Sequence, residues 1–263
     1  MKTVILCGGQ GTRIQEATGG QKPKPMVEIA GRPILWHIMK GYAYFGVNDF
    51  VLCLGHLGNI IKDYFLHYEA LNSDITVKLG SKGTISYHRP PTEADWTVTL
   101  ADTGLEAMTG ARVARIERYV HGETFFLTYG DGVSDIDLQK LLAFHKKHGK
   151  IATVTGVTPH GRFGRMGVEG AKVTSFEEKP RGEGGGKING GFFVFEPEIF
   201  KYVSNDASCI LERAPMSQLV ADNQLIMYDH SGFWQCMDTY RDLVELQRLW
   251  DEGKAPWRYW SEG

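Results

Sequence analysis

The junction between the first predicted strand and a glycine-rich loop constrains the fold of this chain most. An apolar run, Val4-Ile5-Leu6-Cys7, stops at Gly8-Gly9-Gln10-Gly11-Thr12-Arg13. An apolar run that ends in a glycine cluster is typical of a buried strand that feeds a tight loop. Glycines let the backbone approach a ligand and point N–H groups at it, and Arg13 adds a planar cation suited to phosphate. The junction therefore predicts a phosphate site at the carboxyl end of the first strand.

This loop is not specific by itself, and a tight turn with a surface arginine is the alternative. It is not a P-loop, because no Gly-Lys-Ser/Thr follows, and it lacks the third glycine of the dinucleotide fingerprint. The next block, Lys22-Pro23-Lys24-Pro25-Met26, adds a second signal. Its two prolines fix the backbone and aim two lysines from a loop of limited entropy. Together the two blocks favour a phosphate site over a plain turn.

Length, charge and cysteine content exclude several classes of protein. The 263 residues, 42% of them hydrophobic, suffice for one large α/β domain with a full core. A formal net charge of −2 argues against a nucleic-acid-binding surface. The four cysteines form no CxxC pair, so we expect no zinc and no disulfide framework, and Cys7 and Cys53 are predicted core residues. With no signal peptide and no apolar stretch of membrane length, the expected compartment is the cytoplasm, without membrane association.

Strand and helix patterns alternate along the chain. The strands are predicted at 50–54, 125–129, 152–157, 173–176, 192–195 and 225–228, and the helices at 33–45, 59–68, 138–148, 197–203, 216–222 and 239–250. Repeated β–α–β units predict an α/β fold with a mostly parallel, doubly wound, Rossmann-like sheet. Ligands then bind at the carboxyl ends of its strands.

Residues 72–100 depart from this pattern. Short strands at 75–79, 85–88 and 97–100 predict a small antiparallel β excursion from the main sheet. The excursion could serve as an oligomer contact or as a packing surface, and the sequence does not decide between them.

Two aspartates follow apolar segments. Asp131 stands between Gly130 and Gly132 after the strand at 125–129, and Asp238 follows the run 233–237. Each could be a turn residue or a helix N-cap, and Asp238 stands just before a predicted helix.

Several blocks in fixed order resemble the sugar-1-phosphate nucleotidyltransferases, from Val4 to about Trp257. They are GGxGTR at 8–13, PKPM at 23–26, Tyr129-Gly130-Asp131-Gly132, Glu178-Lys179-Pro180, Asn189-Gly190-Gly191 and Phe233-Trp234-Gln235-Cys236-Met237-Asp238-Thr239. The resemblance implies a single nucleotidyltransferase domain of the GT-A-like type over 1–263. Its nucleotide-binding half would be about 1–130 and its sugar- and metal-binding half about 131–240, followed by a C-terminal helix and tail at 241–263.

The resemblance also implies roles for individual residues. Arg13 would hold the departing pyrophosphate, Lys24 would bridge the reacting phosphates, and Asp131 and Asp238 would bind Mg²⁺. The implied nucleotide-binding residues are Leu6, Cys7, Gly8, Gly9, Gln10, Gly11, Thr12, Arg13, Lys24, Thr103, Met108, Thr109, Gly110, Arg112 and Gly130. The implied sugar-phosphate-binding residues are Tyr129, Gly164, Glu178, Lys179, Asn189 and Gly190.

The base pocket is expected in the segment 102–112. Backbone carbonyls there would accept from a cytosine amino group, and Arg112 would supply a cation to the cytosine carbonyl. A solvated arginine at the start of a helix is the alternative for Arg112.

The implied reaction transfers CMP from CTP to α-D-glucose 1-phosphate and gives CDP-glucose and pyrophosphate, for deoxysugar and O-antigen polysaccharide synthesis. The resemblance also implies a homo-oligomer, such as a hexamer. Alternatives are the same chemistry with UTP, dTTP or another phosphorylated acceptor, and a non-catalytic sugar-nucleotide sensor. An NAD-dependent dehydrogenase is disfavoured, because the second strand ends Leu54-Gly55-His56 without an acid for the ribose.

Overall fold

Strands and helices alternate along most of the chain. The structure, a computed structural model, describes residues 1–11, 20–80, 83–88, 91–120, 122–158, 165–169, 172–177 and 186–260. In chain order its strands are β1 (Thr3–Leu6), β2 (Glu28–Ile29), β3 (Arg32–Pro33), β4 (Asp49–Leu54), β5 (Ile75–Lys78), β6 (Thr84–Tyr87), β7 (Thr97–Asp102), β8 (Phe125–Tyr129), β9 (Gly132–Ser134), β10 (Ala152–Val157), β11 (Arg165–Glu169), β12 (Lys172–Glu177), β13 (Ile188–Phe195), β14 (Leu225–His230) and β15 (Trp234–Cys236). Its helices are α1 (Ile34–Tyr44), α2 (Gly58–Leu66), α3 (Tyr68–Asn72), α4 (Thr109–Arg115), α5 (Glu117–Val120), α6 (Leu138–His148), α7 (Ala214–Ala221) and α8 (Tyr240–Asp251), with 3-10 turns at Lys24–Met26 and Pro197–Lys201.

Seven of these strands form the central sheet. Their spatial order is β14-β10-β13-β8-β1-β4-β7. The pairs β8–β1, β1–β4, β4–β7 and β10–β14 are parallel, whereas β13 runs antiparallel between β10 and β8. The mostly parallel sheet confirms the predicted α/β fold.

The two faces of the sheet are covered by different layers. Successive residues of a strand point to opposite faces, and in β1 Ile5 belongs to one core cluster whereas Val4 and Leu6 belong to another. The first cluster also contains residues of α1 and α8, and the second contains residues of α4 and α7. Helical layers on both faces confirm the doubly wound arrangement.

The antiparallel excursion is smaller than the sequence predicts. The strands β5 and β6 form a hairpin with exposed residues throughout, as expected. The assignment of residues 97–100 to that excursion is wrong, because β7 pairs in parallel with β4 from Thr97 to Asp102. Val98 and Leu100 pack against the first core cluster, so β7 is an edge strand of the main sheet. A parallel neighbour needs a long crossover, and α2, α3 and the hairpin lie within it.

Other differences concern the helices. The helix predicted over 59–68 is interrupted at His67 and becomes α2 and α3, and the one predicted over 197–203 is a short 3-10 turn. The sequence indicated α4, which bears on the site, only through the alternative that Arg112 starts a helix. No helix in the described part of the chain is long and apolar enough to span a membrane.

One buried histidine of α1 gives the fold a dependence on pH. His37 is 1% exposed, and its Nε2 lies 2.9 Å from the carbonyl oxygen of Ile29, so Nε2 carries the proton and donates it. Its ring meets Trp250 edge to face at a centroid separation of 5.0 Å. Burial lowers the pKa of His37 to about 4. His37 is therefore neutral in the folded protein near neutral pH.

We expect acid to destabilise the protein through His37. The pKa of His37 is lowered on folding. As the pH falls, His37 is therefore protonated near pH 6.5 in the unfolded chain but only near pH 4 in the folded protein. Stability present above pH 6.5 is thus lost as the pH falls, by about 2 kcal/mol between pH 7.5 and 5. Chemical denaturation at each pH, with His37→Gln as the comparison, measures this. The wild-type free energy of unfolding should fall by about that much more than the variant's; parallel pH profiles would contradict the assignment.

Candidate active site

The carboxyl ends of β1 and β8 and the segment that follows β7 line one cleft of about 550 Å³. The chain stays hydrogen-bonded just beyond these strands. The Cys7 amide donates to the Cys53 carbonyl at 3.0 Å, and the Gly130 amide donates to the Leu6 carbonyl at 3.1 Å. A cleft of this volume suits a small molecule rather than a macromolecule.

Most predicted nucleotide-binding residues meet in this cleft. Those lining it are Leu6, Cys7, Gly8, Gly9, Gln10, Gly11, Lys24, Met108, Thr109, Arg112 and Gly130, together with Tyr129, Asp131 and Asp238. Thr103 and Gly110 are buried behind its wall. The predicted site residues Thr12, Arg13, Gly164, Glu178 and Lys179 lie outside the residues that the structure describes.

A three-residue ion cluster lies in this cleft. The Lys24 ammonium lies 2.6 Å from Oδ2 of Asp131 and 2.6 Å from Oδ1 of Asp238. The two carboxylate oxygens are therefore no farther apart than twice that distance. All three side chains are less than one third exposed, so water screens their interaction only in part. The cluster places a cation between two carboxylates.

The strand pair β9–β15 brings the two aspartates together. The antiparallel register sets Cys236 opposite Gly132. Asp131 directly precedes Gly132 and Asp238 follows Cys236 by two residues, so both lie at the same end of the pair. The Met237 amide donates to the Asp131 carbonyl at 2.8 Å and continues the pairing. Two residues distant in sequence thus become neighbours through backbone hydrogen bonds.

Asp238 does not cap the helix that follows it. Thr239 is the N-cap of α8, and its hydroxyl accepts from the amide of Asp242 in a capping box. Asp242 in turn accepts from the backbone amide of Asp238 at 3.0 Å. The N-cap interpretation of Asp238 is therefore wrong, and its carboxylate points to Lys24 instead.

The ion cluster keeps Lys24 charged. Burial acts to lower the pKa of Lys24, but the charges of Asp131 and Asp238 and the hydrogen bonds to them outweigh it. The pKa of Lys24 is therefore raised. Lys24 lies at the start of the 3-10 turn Lys24–Met26, where Pro25 is buried and fixes the backbone.

Arg112 is a buried strut beneath the glycine loop. It is 5% exposed, and its guanidinium donates to the carbonyls of Leu54 at 2.8 Å and Gly8 at 3.0 Å and to Oγ1 of Thr103 at 2.8 Å. The alternative for Arg112, a solvated arginine at a helix start, is wrong about solvation, because the side chain is buried although it lies in α4. The interpretation of Arg112 as the base-reading cation stays a prediction, although its side chain lines the cleft.

The close approach of Arg112 explains one glycine of the loop. A Cβ added to Gly8 would lie 2.2 Å from Cζ of Arg112. That distance is far below a van der Waals contact, so a side chain here would displace the guanidinium. The absence of a side chain at Gly8 thus lets the Arg112 guanidinium of α4 lie against the glycine loop and bond to its backbone.

A second group of predicted residues adjoins the cleft beside Tyr129. Asn189 donates through Nδ2 to the Tyr129 hydroxyl at 3.3 Å and accepts from the Gly191 amide at 2.8 Å. Gly191 has φ of +77°, and a Cβ there would lie 2.5 Å from Cδ2 of Tyr129. The Gly190 carbonyl accepts from Nε1 of Trp234 at 2.6 Å. The Asn-Gly-Gly block therefore has a structural reason: it lets the chain pass against the Tyr129 ring.

Sequence reasoning missed two residues at this edge, Trp234 and Glu212. Trp234 belongs to a block singled out for Asp238, yet nothing in that block indicates a bond to Gly190. Glu212 accepts from the hydroxyls of both Thr109 and Tyr129. It belongs to no recognisable motif, and no sequence signal could have found it.

The fold and site define a class of α/β proteins that bind small phosphorylated ligands at the carboxyl edge of a parallel sheet. The sequence profile described as nucleotidyl transferase matches residues 2–252. The chain belongs to this nucleotidyl transferase family, which confirms the resemblance seen in its motifs.

Individual relatives agree with the family. A glucose-1-phosphate cytidylyltransferase of Salmonella typhi is 49% identical over 262 residues, which cover 99% of this chain and 100% of that protein. The protein of the same name from Salmonella typhimurium strain LT2 has the same identity and coverage. Among solved structures, the inositol-1-phosphate CTP transferase of T. maritima superposes with a TM-score of 0.65 at 14% identity, covering 100% of this chain and 98% of that one. That last likeness concerns the fold alone.

Replacing Arg112 should destabilise the protein although the charge is kept. In Arg112→Lys the single ammonium cannot reach the carbonyls of Leu54 and Gly8 and the Thr103 hydroxyl together. Buried acceptors left without a donor cost about 1–3 kcal/mol each, so we expect a loss of about 2–4 kcal/mol. Denaturant unfolding measures this.

Arg118→Lys, at an exposed arginine of α5, is the matched control and should change the free energy of unfolding by less than about 0.5 kcal/mol. Equal stability of the Arg112 and Arg118 variants would show that the strut contributes nothing.

Proposed function

We propose that this protein transfers CMP from CTP to α-D-glucose 1-phosphate, giving CDP-glucose and pyrophosphate. The observation that carries the proposal is the 49% identity with glucose-1-phosphate cytidylyltransferases over the full length of both chains. The geometry supports it, because the glycine loop, Lys24 and two carboxylates meet in a cleft of suitable size.

The chemistry asks little of the protein beyond alignment and charge neutralisation. A phosphate oxygen of the sugar phosphate attacks the α-phosphorus of CTP in line, the new P–O bond forms, and pyrophosphate leaves. The attacking phosphate is already ionised near neutral pH, so no general base is needed. The backbone amides of the glycine loop and the Lys24 ammonium would stabilise the charge on the reacting phosphates. Arg13 is proposed to hold the departing pyrophosphate.

The two carboxylates fit a divalent cation. Nucleotidyltransferases of this family generally use a divalent metal, and we propose Mg²⁺ held by Asp131 and Asp238. The fit rests on the observation that both carboxylates already surround one cationic atom, the Lys24 nitrogen. Oxygen ligands that are few in number suit Mg²⁺, which keeps waters and substrate phosphates around it. When bound, Mg²⁺ supplies positive charge to the α-phosphate.

Lys24 then has a second task in this proposal. With the triphosphate bound, the Lys24 ammonium would pair with a phosphate in place of the carboxylates. The flexible stem of a lysine allows such a change of partner, because its ammonium is a point charge with rotatable donors. The ion cluster is thus the resting arrangement of a group that bridges phosphates when substrate is present.

We assign the two substrates to the two sides of Tyr129. The nucleotide would lie along the glycine loop, with its base near the cleft-lining residues Met108 and Thr109. The sugar phosphate would lie near Tyr129, Asn189 and Gly190, with Gly164, Glu178 and Lys179 as further contacts. Residues of both predicted halves of the chain, about 1–130 and about 131–240, would therefore serve one reaction. A homo-oligomer and a cytoplasmic location stay predictions.

The proposed base specificity follows from hydrogen-bond polarity. Cytosine carries an amino donor where uracil and thymine carry an acceptor. A backbone carbonyl aimed at this position pairs with cytosine but leaves an unpaired acceptor opposite the other two bases, at a cost of about 1–3 kcal/mol. We therefore expect kcat/KM for CTP to exceed that for UTP and dTTP tenfold to a hundredfold. Steady-state kinetics with each triphosphate at saturating glucose 1-phosphate measures this.

Two lysine variants serve as controls for that assay. Lys24→Ala should abolish pyrophosphate release with every triphosphate, whereas Lys22→Ala should keep it, because Lys22 is half exposed and pairs with Glu28 at 2.8 Å. Equal efficiency with UTP and CTP would contradict the cytidylyl assignment and leave the nucleotidyltransferase chemistry standing. No turnover with any triphosphate would favour the sugar-nucleotide sensor.

A further inference from the structure

The segment 207–211, which carries no family motif, packs against the proposed base-binding residues at the start of α4. The Met108 amide donates to the Ala207 carbonyl at 2.8 Å, and the Ala111 amide donates to the Cys209 carbonyl at 3.1 Å. From the segment itself, the Leu211 amide donates to Oγ1 of Thr109 at 3.0 Å. Residues 207–211 therefore hold the start of α4 in place along its whole first turn.

This segment ends at a carboxylate that bridges two sides of the cleft. Glu212 accepts from Oγ1 of Thr109 at 2.6 Å with one oxygen, and its other oxygen accepts from the Tyr129 hydroxyl. Thr109 belongs to the proposed base side, and Tyr129 stands at the end of β8, two residues before Asp131. The Tyr129 hydroxyl also accepts from Asn189 at 3.3 Å, which extends the chain of hydrogen bonds to the sugar side.

The donors and acceptors in this bridge have fixed roles. A carboxylate can only accept, so both hydroxyl protons point to Glu212. The Thr109 hydroxyl oxygen accepts from the Leu211 amide, and the Tyr129 hydroxyl oxygen accepts from Nδ2 of Asn189. Each hydroxyl is thereby oriented by Glu212.

We propose that Glu212 is a positioning residue that couples the base side of the cleft to its sugar side through the hydroxyls of Thr109 and Tyr129. The proposal rests on the proposed function, since it concerns where the two substrates of that reaction bind. Among the residues that the structure describes, Glu212 hydrogen-bonds to neither the ion cluster nor residues 8–11 of the glycine loop. Its effect therefore falls on substrate binding more than on the transfer step.

The position of Glu212 separates this role from a purely structural one. The residue is exposed, and so its removal leaves no buried cavity and no buried unpaired charge. A structural residue would lower the melting temperature and the fraction of active enzyme, and leave both KM values unchanged. A positioning residue raises the KM values of a protein that is still folded.

We expect Glu212→Ala to raise the KM for CTP and the KM for glucose 1-phosphate about tenfold each, with kcat changed less than about threefold. Glu212→Gln keeps the shape and one acceptor, so each KM should rise only about threefold. Thr109→Val removes the base-side arm alone and should raise the KM for CTP. Tyr129→Phe removes the sugar-side arm alone and should raise the KM for glucose 1-phosphate. Initial-rate kinetics in both substrates, with thermal melting of each variant, measures these effects.

A double-mutant cycle tests the connection itself. Because Thr109 and Glu212 act through one hydrogen bond, Glu212→Ala with Thr109→Val should raise the KM for CTP no further than Glu212→Ala alone. Glu198→Ala, at an exposed glutamate of the 3-10 turn Pro197–Lys201, is the matched control and should leave both KM values unchanged.

Three results would overturn the positioning role. The first is a KM for CTP or for glucose 1-phosphate that stays within twofold of wild type in Glu212→Ala. The second is additivity of the Glu212→Ala and Thr109→Val effects in the double-mutant cycle. The third is a lower melting temperature of Glu212→Ala with unchanged KM values. If Glu212→Ala fails to fold, unchanged KM values in Glu212→Gln overturn it as well. Failure of the proposed function looks different, because then the wild type itself forms no product from CTP and glucose 1-phosphate.

Discussion

The contact of one ammonium with two carboxylates organises this active site. Lys24 lies 2.6 Å from both Asp131 and Asp238, and these three residues come from widely separated parts of the chain. Two carboxylates this close repel each other unless a cation lies between them. The protein supplies that cation itself through Lys24. In the proposed reaction the carboxylates would hold the metal and Lys24 would pair with phosphate.

The surrounding backbone holds these three groups together in the cleft. The pairing of β9 with β15 sets the two aspartates side by side, and the 3-10 turn with its buried Pro25 presents Lys24 to them. Also in the lining of the cleft, the buried guanidinium of Arg112 joins the Gly8 and Leu54 carbonyls. A hydrogen bond from a charged donor to a neutral carbonyl is about twice as strong as one from a neutral donor. Lys24 and Arg112 therefore each join groups from separate parts of the chain.

How far the sequence predicts this arrangement depends on the range of each interaction. Local patterns predicted the alternating α/β fold and several elements to the residue, such as β8, β10 and α6. The family resemblance predicted that Asp131 and Asp238 share one site and that Lys24 contacts the reacting phosphates, since spacing alone cannot relate residues so far apart. The parallel pairing of β7 was not predicted, because its alternating pattern suits a hairpin equally. Glu212 could not be found either, because a single glutamate carries no signal for partners in two other elements.

The most direct test of the central claim is the binding of Mn²⁺, a spectroscopic substitute for Mg²⁺, without nucleotide. The Lys24 ammonium lies where a metal between the two carboxylates would bind, so Lys24→Ala should bind Mn²⁺ about tenfold more tightly than wild type, as followed by electron paramagnetic resonance. Adding Asp238→Asn should abolish that gain, and Lys22→Ala should bind like wild type. Equal affinity of Lys24→Ala and wild type for Mn²⁺ would contradict the claim that Lys24 occupies the place of a metal between Asp131 and Asp238.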